Sequence, residues 1–119
     1  MLPLDLREER CVPKTDLLQG TLDLLLLKVL ALGPNHGWGI SNRIRQMSGE
    51  GLNASQVSLY PALHRLEVRG DVRSEMMASE NNRRARVYTI TAAGRRRLQS
   101  EQKSWELFAL SMRRVLETE

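Results

Sequence analysis

The sequence predicts a mainly α-helical domain with a small β-hairpin and a long final helix, and three observations carry that reading. Leucine is abundant, β-branched residues are few and only 4% of residues are aromatic, so the core must be aliphatic and helical. Apolar residues recur at helical spacing before Gly70 and again after Thr91. Between those two points the period changes to about two, the spacing of a half-buried strand. A chain of 119 residues with 41% hydrophobic and 27% charged residues supports one domain with one modest core.

Residues 1–15, with Pro3 and Pro13 and mixed charge, show no periodicity and read as a flexible N-terminal arm. A first helix is expected from Asp16 to Leu32, stopped by Gly33-Pro34. Its apolar positions, including Leu17, Leu18, Leu22, Leu24 to Leu27, Val29, Leu30 and Leu32, fill more than one face. Such a helix must be covered on two sides, and in so small a domain the second cover is expected to be another subunit.

His36-Gly37-Trp38-Gly39 opens a second helix with Ile40, Ile44 and Met47 inward and Asn42, Arg43 and Arg45 outward, ended by Ser48-Gly49-Glu50-Gly51. A third helix carries Leu59, Leu63 and Leu66 at the same spacing, with Ala62 beside them, and ends at Gly70. Pro61 has no N–H and is tolerated in a first turn or at a kink, which puts the start of this helix near Ser58. Helix, glycine-containing turn and helix form a helix-turn-helix, although the turn is longer than usual.

After Gly70, Val72, Ser74 and Met76 alternate with Arg73, Glu75 and Met77. A turn at Glu80-Asn81-Asn82 leads to a second strand in which Arg86, Tyr88 and Ile90 share a face, giving a hairpin. Thr91 is a good N-cap for a last helix reaching Val115 or Leu116, with Leu98, Trp105, Phe108, Met112 and Val115 along one stripe. The organisation is therefore an arm at 1–15, a winged helix-turn-helix at 16–91 and a C-terminal helix at 92–119.

Charge is distributed unevenly. Residues 1–63 hold six basic and six acidic residues, 64–97 hold nine arginines against four acids, and 98–119 hold three basic against four acidic, so the three segments carry 0, +5 and −1 and the positive excess lies within 64–97. Guanidinium groups bind phosphate bidentately, and an arginine stripe of this kind suits a phosphate-facing surface as well as it suits a solvated one. The single cysteine, Cys11, excludes an intramolecular disulfide, and no secretion signal is visible, which points to the cytoplasm. The apolar stretch from Leu22 to Leu32 is interrupted by Asp23 and Lys28 and falls well short of the ~20 residues that span a bilayer, so no membrane partner is expected. His36 and His64 lie apart without a clustered Cys or carboxylate, and there is no glycine-rich phosphate loop; neither an enzyme nor a cofactor or metal site is expected.

The candidate functional residues lie on two elements. Opposite the buried stripe, the third helix presents Val57, Ser58, Pro61, His64 and Arg65, with Tyr60 on its flank, and these groups suit base edges and phosphates in a major groove. Tyr60 also suits packing under the hairpin, and His64 suits plain solvation. The hairpin carries Arg83, Arg84 and Arg86 on a protruding ribbon, suited to backbone or minor-groove contact, or to discouraging strand pairing at an edge. Arg95-Arg96-Arg97 opposes the dipole in the first turn of the last helix, which calls for DNA or for acids on a neighbour.

Three stretches in order, LLQGTLDLLLLKVLALGPNHGWGI, SLYPALHRLEVRG and NNRRARVYTITAAG, resemble the PadR family of winged-helix transcription regulators, in particular its short members with a single C-terminal helix. The resemblance spans about residues 17 to 116. It implies a sequence-specific regulator that acts as a repressor on a double-stranded DNA operator with inverted-repeat half-sites, with the third helix in the major groove and the hairpin as wing. By position, Tyr60 and Pro61 match the family's Tyr-Pro pair in the recognition helix, and Tyr88, Thr91 and Gly94 match its wing-to-helix signature. It further implies a homodimer built from the first helix (Leu22, Leu26) and the last (Leu98, Trp105, Phe108, Met112, Val115). Some members bind flat aromatic effectors between subunits, and Trp105 falls where such members carry a stacking Trp; an interface anchor is the other reading of that residue, and the one its size favours. Trp38 departs from the family, which more often has Tyr there.

Overall fold

A proline-led helix is the first described element. The computed structural model describes residues 13–54, 56–78 and 83–119, with backbone alone for 13–19 and 56–57. In order these form α1 (Pro13–Leu32), β1 (Asn35–His36), α2 (Gly37–Met47), α3 (Gln56–Val68), β2 (Val72–Ala78), β3 (Arg84–Ile90) and α4 (Ala92–Leu116). The arm assigned to 1–15 lies outside the described residues up to position 12, Cys11 included, and α1 starts three residues before the expected Asp16. Pro13 suits that place, because the first helical N–H has no intrahelical partner to lose and φ is already helical.

The described leucines of α1 divide as its composition demands. Leu26, Leu27, Val29 and Leu30 are buried, while Leu22, Leu24, Leu25 and Ala31 are only partly covered. Leu17 and Leu18 lie outside the described side chains. The buried set meets Ile40 and Ile44 of α2, Leu59, Ala62, Leu63 and Leu66 of α3, Val72, Tyr88 and Ile90 of the hairpin, and Leu98 of α4 in a single cluster. Met47, expected inward, is 49% exposed, because the apolar stripe of α2 runs out at Ile44.

The sheet is three-stranded and antiparallel in the order β1-β3-β2. Its hairpin follows the expected alternation, with Val72 opposite Ile90, Ser74 opposite Tyr88 and Met76 opposite Arg86 on the face turned to the helices. The edge strand β1 was not expected, since two residues carry no period; Asn35 pairs with Tyr88 and His36 with Val87. His36 also caps α2, its Nδ1 accepting the Gly39 N–H at 3.1 Å, while the Asn35 side chain accepts the His36 N–H at 2.9 Å. The glycines of His36-Gly37-Trp38-Gly39 are thereby explained by sterics. A Cβ on Gly37 would stand 2.6 Å from the Tyr60 hydroxyl, and one on Gly39 would run into the Asn35 amide.

Two junctions orient the helices. Gly70 adopts φ +85°, which lets the Asp71 N–H return to the Leu66 carbonyl at 2.9 Å and closes α3. Thr91 caps α4 as expected, its Oγ1 accepting the Gly94 N–H at 3.0 Å, and its N–H donates to the Asp71 carbonyl at 3.0 Å. Asp71, 1% exposed, is held by Arg69 of the α3–β2 turn at 3.1 Å and by Arg97 of α4 at 2.7 Å. A single buried carboxylate thus fastens the start of α4 to the end of α3, and it supplies the neighbouring acid that Arg97 calls for against the helix dipole.

Candidate nucleic-acid interface

Burial of Leu59, Ala62, Leu63 and Leu66 rotates the opposite side of α3 into solvent. Ser58, Pro61, His64 and Val68 are all exposed there. Val68, 71% exposed, was not singled out from sequence although it lies directly opposite the buried stripe. The side chain of Val57 lies outside those described. Pro61 stands in the body of α3 and not in its first turn, because the helix starts at Gln56, ahead of the expected Ser58. It has no N–H to offer the carbonyl four residues before it, which leaves that end of α3 less tied to its own backbone.

The flanks of this face are engaged on both sides. Tyr60 lies with its ring over Gly37 at the start of α2 and 44% of its surface open. On the other flank the Arg65 guanidinium donates to Asp23 of α1 at 3.0 Å, and Arg69 approaches the same carboxylate at 3.9 Å. Arg65 thus presents one edge of its guanidinium to α1 and only the remainder outward, which weakens its claim as a base reader and favours a phosphate.

Arg83, just before β3, and Arg84 and Arg86 on it are exposed; the turn residues Glu80, Asn81 and Asn82 lie outside the described residues. Arg86 reaches back over the sheet and donates to Ser74 Oγ at 3.1 Å, and Ser74 donates to the Glu67 carboxylate of α3 at 2.7 Å. Beneath them burial pushes the Tyr88 phenol above its ordinary range, with the Glu67 carboxylate adding to the effect and Arg86 opposing it. Helix and wing therefore form one continuous surface, with exposed arginines at its rim. Neither Glu67 nor Ser74 was read as functional; the only sequence signal was their placement beside the expected recognition face and wing.

The second set of residues lies along α1 and α4. Leu26 has no exposed surface and belongs to the core, correcting its expected place at an interface; the reason is that it shares the inward face with Leu30. Leu98 is 9% exposed and Leu22 is partly covered. Trp105, Phe108, Met112 and Val115 are 47%, 48%, 45% and 72% exposed, and Leu107 and Leu110 add apolar surface on the opposite side of the helix. A groove of about 340 Å³ between α1 and α4 is lined by Leu24, Leu25, Leu52, Leu98 and Trp105, with Lys28 at its edge. Among the described residues no group of three His, Cys, Asp or Glu could hold a metal ion, and no helix is long and apolar enough to cross a membrane.

A three-stranded wing sheet against a helix-turn-helix, extended by one long helix, defines a winged-helix protein. The sequence pattern of the transcriptional regulator PadR-like family matches residues 26–100, and the chain belongs to that family. The family is one of transcriptional regulators and not of enzymes. A transcriptional regulator from Clostridium thermocellum superposes with a TM-score of 0.75 at 29% identity, over 83% of this chain and 96% of that one. A PadR family transcriptional regulator from Eggerthella lenta shares the fold, with a TM-score of 0.73 at 24% identity over 98% of this chain and 99% of that one. An uncharacterized 37.1 kDa protein in transposon TN4556 of Streptomyces fradiae is 42% identical over 81 residues, 68% of this chain. The chain spans only 22% of that relative.

Proposed function

We propose that this protein is a homodimeric, DNA-binding repressor that acts in the cytoplasm on an operator with inverted-repeat half-sites. The observation that carries the reading is the single surface made by the open face of α3 and the arginine-bearing wing, joined through Glu67, Ser74 and Arg86. His64, Ser58 and Tyr60 are the polar groups placed for base edges, with Pro61 and Val68 as apolar neighbours suited to thymine methyls. Arg65, Arg83, Arg84 and Arg86 are placed for phosphates and groove edges. Two copies would match a two-fold operator, each placing one α3 in one half-site.

The dimer is supported by the second half of α4, where seven large apolar side chains, Trp105, Leu107, Phe108, Leu110, Met112, Val115 and Leu116, are exposed, more than a helix of a monomer leaves in water. The groove beside Trp105 offers a flat aromatic effector an indole face and a lysine, although an indole of this exposure serves an interface anchor better. Truncation after Gln99 removes the stripe and strips the cover from Leu24 and Leu25. The shortened chain is expected to be insoluble or unfolded by circular dichroism, and a soluble, well-folded monomer would show that α4 is an appendage.

A further inference from the structure

We propose that Ser74 and Glu67 form a positioning relay that presents Arg86 to a DNA phosphate. This rests on the DNA-binding reading above and assigns its wing arginines unequal parts. Arg86 and Ser74 lie on the same face of the hairpin, diagonal to one another across the β2–β3 pairing, since Met76 is opposite Arg86 and Ser74 is opposite Tyr88. The direction of each bond is fixed by chemistry. Arg86 can only donate, so at 3.1 Å the Ser74 oxygen accepts; that hydroxyl then spends its single hydrogen on Glu67 Oε2 at 2.7 Å. The Glu67 carboxylate in turn rides on α3, the element proposed to lie in the groove.

Two consequences follow for binding. The guanidinium uses one of its five donors on Ser74, and the others remain for an anion. A long exposed side chain normally loses rotamer freedom when it meets a ligand, and that loss weakens binding. Ordering Arg86 beforehand removes part of that loss, and because the anchor is a residue of α3, helix and wing engage the duplex in one fixed relation. Ser74 and Glu67 are accordingly positioning residues, while Arg86 touches the phosphate.

The test uses the full-length protein and a random-sequence DNA duplex spanning three helical turns, titrated at several salt concentrations. Arg86→Ala is expected to weaken binding and to flatten the dependence of log K on log salt by about 1 per protomer. Ser74→Ala is expected to weaken binding about threefold to tenfold per protomer with the salt slope unchanged, since the phosphate contact persists and only its preorganisation is lost. In the Arg86→Ala background, Ser74→Ala is expected to have no further effect, and with Arg86 in place Ser74→Thr, which keeps the hydroxyl, is expected to bind as the wild type does. Equal loss from Ser74→Ala in both backgrounds would mean that the relay only latches the fold, and an intact salt slope in Arg86→Ala would mean that Arg86 meets no phosphate; either overturns the proposal. Absence of salt-dependent binding by the wild-type protein would overturn the DNA-binding reading itself.

Discussion

Replacing Gly94 with valine is expected to destabilise the protein by about 2–4 kcal/mol, combining overpacking with damage to a helix cap. A Cβ at this position would run into the Asp71 backbone carbonyl and stand 2.8 Å from the Ile90 side chain, and the carbonyl cannot swing aside as a flexible side chain would. Asp71 is fixed by its own bonds, with its carbonyl accepting the Thr91 N–H and its carboxylate held by Arg69 and Arg97. Moving α4 away to admit the new atoms therefore disturbs the Thr91 cap and the Asp71 pairs together. Stability on the order of 0.05–0.15 kcal/mol per residue makes this a large fraction of the total. Urea unfolding at a fixed protomer concentration measures it, and Gly20→Ala is the control. Nothing lies within 4 Å of a Cβ at Gly20, in the middle of α1, so alanine there is expected to stabilise by up to about 1 kcal/mol. An unchanged urea midpoint for Gly94→Val would refute the packing described at this junction.

Changing Arg83, Arg84 and Arg86 together to alanine is expected to weaken binding to every DNA sequence while leaving discrimination intact. Phosphate contacts carry no sequence information, and each one lost flattens the salt dependence by roughly 1. Changing His64 or Tyr60 on α3 is expected to act the other way, costing about 1–3 kcal/mol on the operator and less on random DNA. Tyr60 must be read with its stability, because its ring covers Gly37; Tyr60→Phe keeps that cover and removes only the hydroxyl. In a dimer each substitution is made twice, so its effect on two half-sites is expected to be about double that on one. A full salt slope in the triple variant, with equal losses on operator and random DNA from changes in α3, would reverse the assigned roles.

How far the sequence revealed this structure depends on the range of each signal. The helices followed from leucine spacing and the hairpin from alternation between Val72 and Ile90, because both periods are written locally. Thr91 was legible as a cap for the same reason. The edge strand at Asn35 and His36 was not, since it exists only through pairing with β3, some fifty residues away. Leu26 was misplaced because α1 is apolar on more than one side, and no periodicity tells which leucine faces the core and which faces outward. At the candidate site the exposed side of α3 and the wing arginines were legible, as a helical wheel and a charge count suffice to find them. The bonds that divide their roles, Arg65 to Asp23 and Arg86 through Ser74 to Glu67, span elements and appear only once the chain is folded.

The most direct test of the central claim is to select DNA fragments with the purified full-length protein, sequence them, and measure the mass of the protein bound to the enriched fragment. An inverted repeat with half-sites one helical turn apart, or a multiple of it, is expected to be enriched, with two protomers bound per fragment. Enrichment of no sequence over random DNA, or a complex holding a single protomer, would contradict that claim.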